Sequence, residues 1–491
     1  MKSHTFYTNV FYDGRRICYR GIENNRHITD SFLYSPSLFV PSNKNSTYKT
    51  IDGRHVERMQ FDSLYEMSEF KKTYDSVSGF DIHGDIGIEY QYIADFYREN
   101  IEYDFSLIKI MYIDIETTCE DGFPEILNPK EKIIAITCMM NNRKTVFCLG
   151  AFKTDDETIK VNEYEDESQL LYDFVNYFKQ NQPDIITGWN IRLFDMPYVI
   201  NRLKELDIDP RQLSPWNILK DKKIDKGGKE YLVYDIIGIS IVDYYELYKT
   251  FTYVNQESYR LDHIAWVELG ERKISYNEYE SISDFYTKNF QKFIEYNIKD
   301  VLLVERLEQK MKLMELAVAL AYSAGVNFND VFSQVRTWDV IIYNHLLRKN
   351  IVVPPKKISS KDTQYAGAYV KEPIIGMHNW VVSFDIASMY PSSIMQYNIS
   401  PETFIEQIST RLTANDIIDP NEEHSNLFSQ CKDSDISLTA NGACFTRKTH
   451  GFLPELMDKM FKERKMYKNK MIDAKRNLEE VEAELKRRGI K

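Results

Sequence analysis

Ile108-Lys-Ile-Met-Tyr-Ile-Asp114-Ile-Glu116-Thr117 is a near-continuous apolar run that ends in two acids. Such a run reads as a strand buried near the middle of a sheet. At the two-residue period of a strand, Asp114 and Glu116 project from the same face. Side-by-side carboxylates repel each other, and a divalent cation relieves the repulsion. Alone, the pair fits a solvated strand end equally well, because a bare D-x-E is common.

The neighbouring segments place this strand in an α/β sheet. Lys132-Ile-Ile-Ala-Ile-Thr-Cys-Met and Thr145-Val-Phe-Cys-Leu read as further strands. Residues 168–180 carry Leu170, Leu171, Phe174, Tyr177 and Phe178 at helical spacing. Asp184-Ile-Ile-Thr-Gly-Trp-Asn is a short strand running into a loop, and the alternation predicts a sheet with helices on its faces. Upstream, Thr5-Phe-Tyr-Thr-Asn-Val-Phe-Tyr and Arg16-Ile-Cys-Tyr-Arg flank Asp13-Gly14 as a hairpin. Downstream, Gly227-Gly228 centres a basic hairpin over 220–234, and 290–319 reads as helix. Pro354-Pro355 marks a boundary, Trp380-Val-Val-Ser-Phe-Asp-Ile reads as a second buried strand, and 454–488 is a long charged helix closed by Gly489.

The chain has 491 residues, 43% of them apolar, which excludes a disordered polymer and gives a prior of about three domains. No run approaches the roughly 20 apolar residues that span a bilayer, and Met1-Lys-Ser-His-Thr-Phe-Tyr is no signal region. The expectation is a soluble, cytoplasmic protein with no membrane partner. Six cysteines without a C-x-x-C read as reduced and structural, and a zinc site is not expected. A net charge of −12 argues against a histone-like coat but not against a DNA enzyme with a carboxylate site.

Two further segments add to the acids. Thr187-Gly-Trp-Asn190-Ile-Arg-Leu-Phe-Asp195 sets an acid after a strand-to-helix turn, and Tyr296-x-x-x-Asp300 sets a phenol and an acid on one helical face. Singly, Asp195 fits a helix cap and Asp300 a surface charge. Together, four carboxylates and one phenol are the inventory of two-metal phosphodiester hydrolysis, with oxygen-only ligands that favour Mg²⁺ or Mn²⁺, two ions per site.

In order and spacing, Tyr112-Ile-Asp-Ile-Glu116, Asn190 with Phe194-Asp195, and Tyr296-x-x-x-Asp300 resemble the exonuclease motifs of family B DNA polymerases. Asp121-Gly-Phe-Pro-Glu125 and Leu213-Ser-Pro215 resemble the polymerases of T-even-type bacteriophages. The resemblance implies a mixed α/β fold. Its parts are an N-terminal domain over 1–106 to which 314–356 returns, a ribonuclease-H-like 3′→5′ exonuclease domain over 107–313, a partial palm over 357–450 and a first fingers helix over 451–491. It implies that Asp114, Glu116, Asp195 and Asp300 hold metal, that Tyr296 positions the attacking water, and that the Gly227-Gly228 hairpin helps part primer from template. It places Phe123, Asn190, Tyr365 and Gly367 against DNA, the last two within Tyr365-Ala-Gly-Ala-Tyr-Val-Lys-Glu-Pro373, where Ala368 stands in place of a second glycine.

Ser383-Phe-Asp385-Ile386-Ala-Ser388-Met389-Tyr390-Pro391-Ser resembles the first polymerase motif of that family. By resemblance Asp385 and the Ile386 carbonyl bind metal, Ser388 and Met389 cradle the triphosphate, and Tyr390 excludes a 2′-hydroxyl. Arg464 and Lys468 match the first triphosphate-binding residues of the fingers. They lie in a stretch, 459–476, with eight positive and two negative charges, which otherwise reads as a solvated helix face. A Lys-x₃-Asn-Ser-x-Tyr-Gly segment and a Tyr-Gly-Asp-Thr-Asp hairpin do not occur. Asp433-Ser-Asp435 is set aside as a substitute, on the expectation that no strand hairpin flanks it. The expected function is therefore the amino-terminal part of a DNA-directed DNA polymerase that proofreads. It would bind primer-template, single-stranded 3′ ends and dNTP, need a second polypeptide for synthesis, and reach a sliding clamp through that chain. The alternatives are a stand-alone 3′→5′ exonuclease and a non-catalytic DNA-binding scaffold.

Overall fold

In the computed structural model, which describes residues 4–75, 77–98, 101–120, 122, 124–355, 370–386, 388–409 and 412–489, the segment Ile110–Thr117 is a strand of strict alternation. Met111, Ile113 and Ile115 enter a core with Phe174, Phe178 and Ile186, while Asp114 and Glu116 take the opposite face. The chain divides into two compact units, Met1–Ser42 with Glu57–Asn344, and Asn43–Val56 with His345–Lys491.

In the first unit Ile110–Thr117 lies within a six-stranded mixed sheet. Ile133–Met140 pairs antiparallel on one side, followed by Arg143–Cys148 and Ile159–Glu163; Ile185–Thr187 and then Ser240–Ile241 pair parallel on the other. Helices Glu167–Asn181 and Asp195–Glu205 supply the core on one face. Helix Phe290–Met311 covers the other with Phe293, Ile294 and Ile298. This is the mixed α/β architecture expected, with the two acids under a helix rather than in open solvent.

Before the sheet, Thr5–Tyr12, Arg16–Glu23 and Arg26–Leu33 form an antiparallel meander. Later residues of the same unit return to it: the Tyr322 hydroxyl donates to the Tyr7 carbonyl at 2.7 Å, and Asn327 exchanges two 2.9 Å bonds with the Val10 backbone. The meander is tied to the sheet by Asp184, 1% exposed, which accepts from Thr8 Oγ1 at 2.8 Å and the Lys109 N–H at 2.9 Å and pairs with Arg20 at 3.2 Å.

In the second unit, helix Met389–Tyr397 packs on the long helix Phe452–Arg487. Asn398 joins them: its Nδ2 donates to the Thr446 and Thr449 carbonyls at 2.6 and 2.8 Å, and its Oδ1 accepts the Gly451 N–H at 3.0 Å. Strands Phe404–Gln407, Ala443–Thr446 and Ile436–Leu438 form a small sheet in that order.

Two expectations are corrected here. Residues 380–386 are not a buried strand: they take no regular secondary structure, join no strand among the described residues, and leave Trp380 98% and Phe384 92% exposed. An apolar run becomes a strand only when a ladder partner takes its N–H and C=O groups, and none of the described residues does so. Conversely, a hairpin does flank Asp433-Ser-Asp435: Ile436–Leu438 and Ala443–Thr446 pair antiparallel directly after it. Both acids precede the first strand instead of sitting at the turn. Among the described residues, no helix is long and apolar enough to cross a membrane.

Candidate active site

The acids of three distant segments meet over the central strand. Carboxylate oxygens of Asp114, Glu116 and Asp300 all lie within 4.8 Å of one another. The strand sets the first two on one face, and a register shift between Glu116 and Thr117 bends its end beside them, a common device at active sites. Helix Phe290–Met311 supplies Asp300, with Tyr296 one turn earlier. Between them Asn297, fully buried, donates from Nδ2 to Asp114 Oδ2 at 2.7 Å, and its Oδ1 accepts from Thr137 on the adjacent strand. This bridge fixes the helix against the sheet at the level of the acids.

Asp195 opens helix Asp195–Glu205 and is 4% exposed. Its Oδ1 accepts the Ile115 N–H at 3.2 Å, so it stands beside the trio, outside the 4.8 Å group. The loop leading to it presses on the central strand at Gly188, where a Cβ would meet the Ile113 carbonyl oxygen at 2.4 Å. Asp243, fully buried, holds that loop by accepting the N–H groups of Asn190 at 2.9 Å and Arg192 at 3.0 Å. Asn190 is thereby kept at a left-handed φ of 67°.

A cavity of about 1200 Å³ opens beside Asp114, lined by Asn190, Tyr296, Lys273 and the aromatics Trp189, Tyr245 and Tyr259. Among the described residues, Lys273 is the cation that pairs directly with an acid of the cluster. Its Nζ donates to the Tyr296 hydroxyl at 3.0 Å and pairs with Asp300 Oδ2. Asp300 Oδ1 remains buried without a partner among the described residues. A buried, unpaired carboxylate oxygen facing two more acids marks a place where positive charge is wanted.

The electrostatics agree. Burial, then the charges of Asp300, Asp195 and Glu116, hold Asp114 well above the ordinary carboxylate range. Burial and Asp300 push Glu116 up to about 8. Burial lifts Asp195 to about 7 against the Ile115 hydrogen bond, and Asp300 to about 6 against the pull of Lys273. Burial works against the Lys273 charge, but Asp300 outweighs it and raises the ammonium above its usual value. Burial and the Asp300 charge raise the Tyr296 phenol, which therefore stays protonated.

Of the remaining predicted residues, Phe123, Tyr365 and Gly367 lie outside the described residues. In the second unit Asp385 and Ile386 are exposed in the unpaired segment. Ser388, at φ 53°, precedes the helix that begins with Met389 and Tyr390, and its Oγ accepts from Arg464 Nη1 at 3.0 Å. Lys468 is exposed on the same long helix. Sequence reasoning missed Lys273, Asn297 and Asp243. Lys273 lies in a loop with no periodicity to mark it; Asn297 was within reach, being next to Tyr296 on a helix already assigned to the site.

Comparison with known proteins gives the family. Residues 63–264 match the model for the exonuclease domain of DNA polymerase family B, and residues 330–491 match the model for DNA polymerase family B. The first match contains Asp114, Glu116 and Asp195; Tyr296 and Asp300 fall outside both and join the site through the fold. The chain is 33% identical over 98% of its length to the DNA-directed DNA polymerase of Escherichia phage RB69, and 30% identical over 97% to that of Enterobacteria phage T4. It is 26% identical over 74% of its length to the DNA polymerase delta catalytic subunit of Schizosaccharomyces pombe, 34% of which it covers. It spans 55% of the length of each phage relative. With both models matched in order along it, the chain belongs to DNA polymerase family B.

Proposed function

We propose that the first unit is a 3′→5′ exonuclease that removes nucleotides from single-stranded DNA ends, acting as a proofreader in DNA replication. The observation that carries this reading is the meeting of Asp114, Glu116 and Asp300 within 4.8 Å at the wall of an open cavity. The all-oxygen donor set and the orphaned Asp300 Oδ1 fit a hard divalent cation, Mg²⁺ or Mn²⁺, with Asp195 completing a set for two ions. When bound, such ions lower the pKa of a water and stabilise a developing alkoxide.

The chain's own residues do the rest. Tyr296, protonated and in contact with Lys273, orients the attacking water as a hydrogen-bond donor and is not its base. Water oxygen bonds to phosphorus, the bond to the 3′ oxygen breaks, and that oxygen takes up a proton. Trp189, Tyr245 and Tyr259 offer faces on which single-stranded bases stack, with Asn190 at the same wall. The test is divalent-ion-dependent release of nucleotides from a single-stranded oligonucleotide by the 491-residue chain, abolished when Asp114→Ala is combined with Glu116→Ala. Activity that survives in the double variant overturns the site.

A second reading concerns synthesis. Asp385 with the Ile386 carbonyl, and Ser388, Met389, Tyr390, Arg464 and Lys468, make half of a dNTP site; the Arg464–Ser388 bond favours it by joining two of these segments. Completion needs another acid, strands against 380–386, and a helix against the exposed row of Met460, Tyr467, Met471, Leu478, Val481 and Leu485, which recurs at coiled-coil spacing on the long helix. Our reading places these on a second polypeptide, which would also carry the route to a sliding clamp, in the cytoplasm of the host cell. Primer extension by the mixed chains checks it; no gain over either chain alone refutes it.

A further inference from the structure

Helix Phe290–Met311 faces the sheet with apolar side chains, and Asn297 interrupts them. Phe293 one turn before it and Val301 one turn after it are buried, and Phe293, Ile294 and Ile298 already seal the helix to the sheet. A fully buried amide in such a row costs free energy unless both of its ends are hydrogen-bonded. Both ends are. Nδ2 donates to Asp114 Oδ2 at 2.7 Å, and Oδ1 accepts from the hydroxyl of Thr137, which is also fully buried.

The three residues form a closed unit. Thr137 lies on Ile133–Met140 directly opposite Asp114 in the strand register, so one side chain of the covering helix bridges a cross-strand pair. The direction of the amide is fixed by chemistry. An ionised Asp114 carboxylate only accepts hydrogen bonds, so Nδ2 has to face it, and Oδ1 then has to face a donor, which the Thr137 hydroxyl supplies. Turned over, the amide would set its oxygen against the carboxylate. Among the described residues no other hydrogen bond reaches the Asp114 carboxylate, which leaves Oδ1 uncommitted in a residue that lines the cavity. Thr137 therefore orients the amide, and the amide orients the carboxylate.

We propose that Thr137 and Asn297 are positioning residues that set the cation affinity of the site, by holding the Asp114 carboxylate in the orientation a divalent ion needs. The inference rests on the exonuclease reading above and deepens it. The test titrates Mg²⁺ into the 491-residue chain and its Thr137→Val, Thr137→Ser and Asn297→Leu variants. Two signals are followed: the melting temperature, which a bound ion raises without any turnover, and nucleotide release from a single-stranded oligonucleotide. In Thr137→Val, which removes the donor at nearly constant volume, half-saturation should need about tenfold more Mg²⁺ in both signals, and in Asn297→Leu about 10–100-fold more, as for partners behind a metal ligand. Thr137→Ser, which keeps the hydroxyl, should return half-saturation to within about twofold of the parent. Excess Mg²⁺ should restore release in Thr137→Val. A release rate that falls with half-saturation unchanged, or a loss that excess Mg²⁺ does not restore, makes the pair a tie between helix and sheet and overturns the proposal. So does a Thr137→Val variant that matches the parent in both signals. Should Asn297→Leu not fold, the contrast between Thr137→Val and Thr137→Ser decides. If the parent releases nothing while Mg²⁺ still raises its melting temperature, the exonuclease reading has failed separately, and the melting titration decides the orienting role. If Mg²⁺ changes neither signal in the parent, both readings fall.

Discussion

Two apolar runs in this chain end in acids that resemblance assigns to metal, and they fare differently. Residues 108–116 become the middle of a six-stranded sheet, with paired strands on both sides and a helix over the acid-bearing face. Residues 380–386 lie irregular and uncovered, although their composition is at least as strand-like. The difference is the supply of partners. Ile110–Thr117 finds Ile133–Met140 and Ile185–Thr187 within the next 80 residues or so, while nothing among the described residues pairs with 380–386. A metal site is preorganised only where the backbone beneath its acids is held, so on the readings proposed above the first region is a finished site and the second a fragment of one.

The most drastic way to break the contrast is to empty the finished site. Combining Asp114→Ala with Glu116→Ala should lower nucleotide release from single-stranded DNA by about 10³-fold or more, the order expected when metal-borne charge stabilisation is lost. The same variant removes mutual repulsion but also leaves the buried Asn297 amide without its Asp114 acceptor, so the two effects oppose each other and the melting temperature in chelator should stay within about 4 °C of the parent's. A drop well beyond that, alongside the lost activity, would mean the acids hold the fold together.

Asp184 shows what a structural acid in the same sheet looks like. It is as buried as the catalytic candidates, but its oxygens are satisfied by Thr8, Lys109, Arg20 and His27, and the His27 hydrogen bond, the Arg20 charge and the Lys109 N–H hold its carboxyl below the ordinary range although burial works the other way. Asp184→Ala should cost about 3 kcal/mol in denaturant unfolding, since it strands a buried guanidinium. Arg20 also donates to the Pro183, Gly238 and Gln182 carbonyls, which keeps the loss at the low end of the range for broken buried pairs. Between these extremes stands Lys273, which touches both Tyr296 and Asp300. Lys273→Met should slow nucleotide release by about 10–100-fold with little change in melting, as for a misaligned water.

The acids of the finished site also predict a pH dependence. Asp300, Asp195 and Glu116 are raised to about 6, 7 and 8, each above the value near 4 expected when unfolded. The folded, metal-free chain therefore binds more protons than the unfolded one through this window. Their contribution to stability is complete below pH of about 4 and is lost as the pH rises through about 8. In chelator the melting temperature should fall between pH 5.5 and 8.5, by about 2–4 °C for each kcal/mol lost in a domain of this size. Magnesium should raise it more at the alkaline end, and Asp114→Asn with Glu116→Gln should flatten the curve.

How much of this was legible follows from range. The face shared by Asp114 and Glu116 and the turn shared by Tyr296 and Asp300 are local periodicities, and both appear in the folded chain as read. Convergence of the segments was legible only through resemblance, since no local signal places residue 300 over residue 114. Lys273 was not legible, because a loop has no period and lysines are common on surfaces. The strand assignment for 380–386 failed for the same reason in reverse: alternation and β-branching describe what a segment can do, and a ladder partner decides whether it does. The hairpin after Asp435 was missed because its strands are only three and four residues long, too short to show alternation.

The smallest expected effect is the most direct probe of the fragment. Asp385 is exposed in an unpaired segment of the second unit, and the nuclease acids are assembled wholly within the first. Asp385→Ala should therefore leave nucleotide release from single strands within about twofold of the parent, since a substitution with no shared partners adds independently. It should also leave the melting temperature unchanged, because an exposed side chain with no hydrogen bond or ion pair among the described residues has little to lose on unfolding. On the synthesis reading proposed above, the same substitution should abolish any primer extension that mixing with a second polypeptide confers. If Asp385→Ala impairs nuclease activity in the 491-residue chain alone, the two regions are coupled, and the contrast between a finished site and an independent fragment fails.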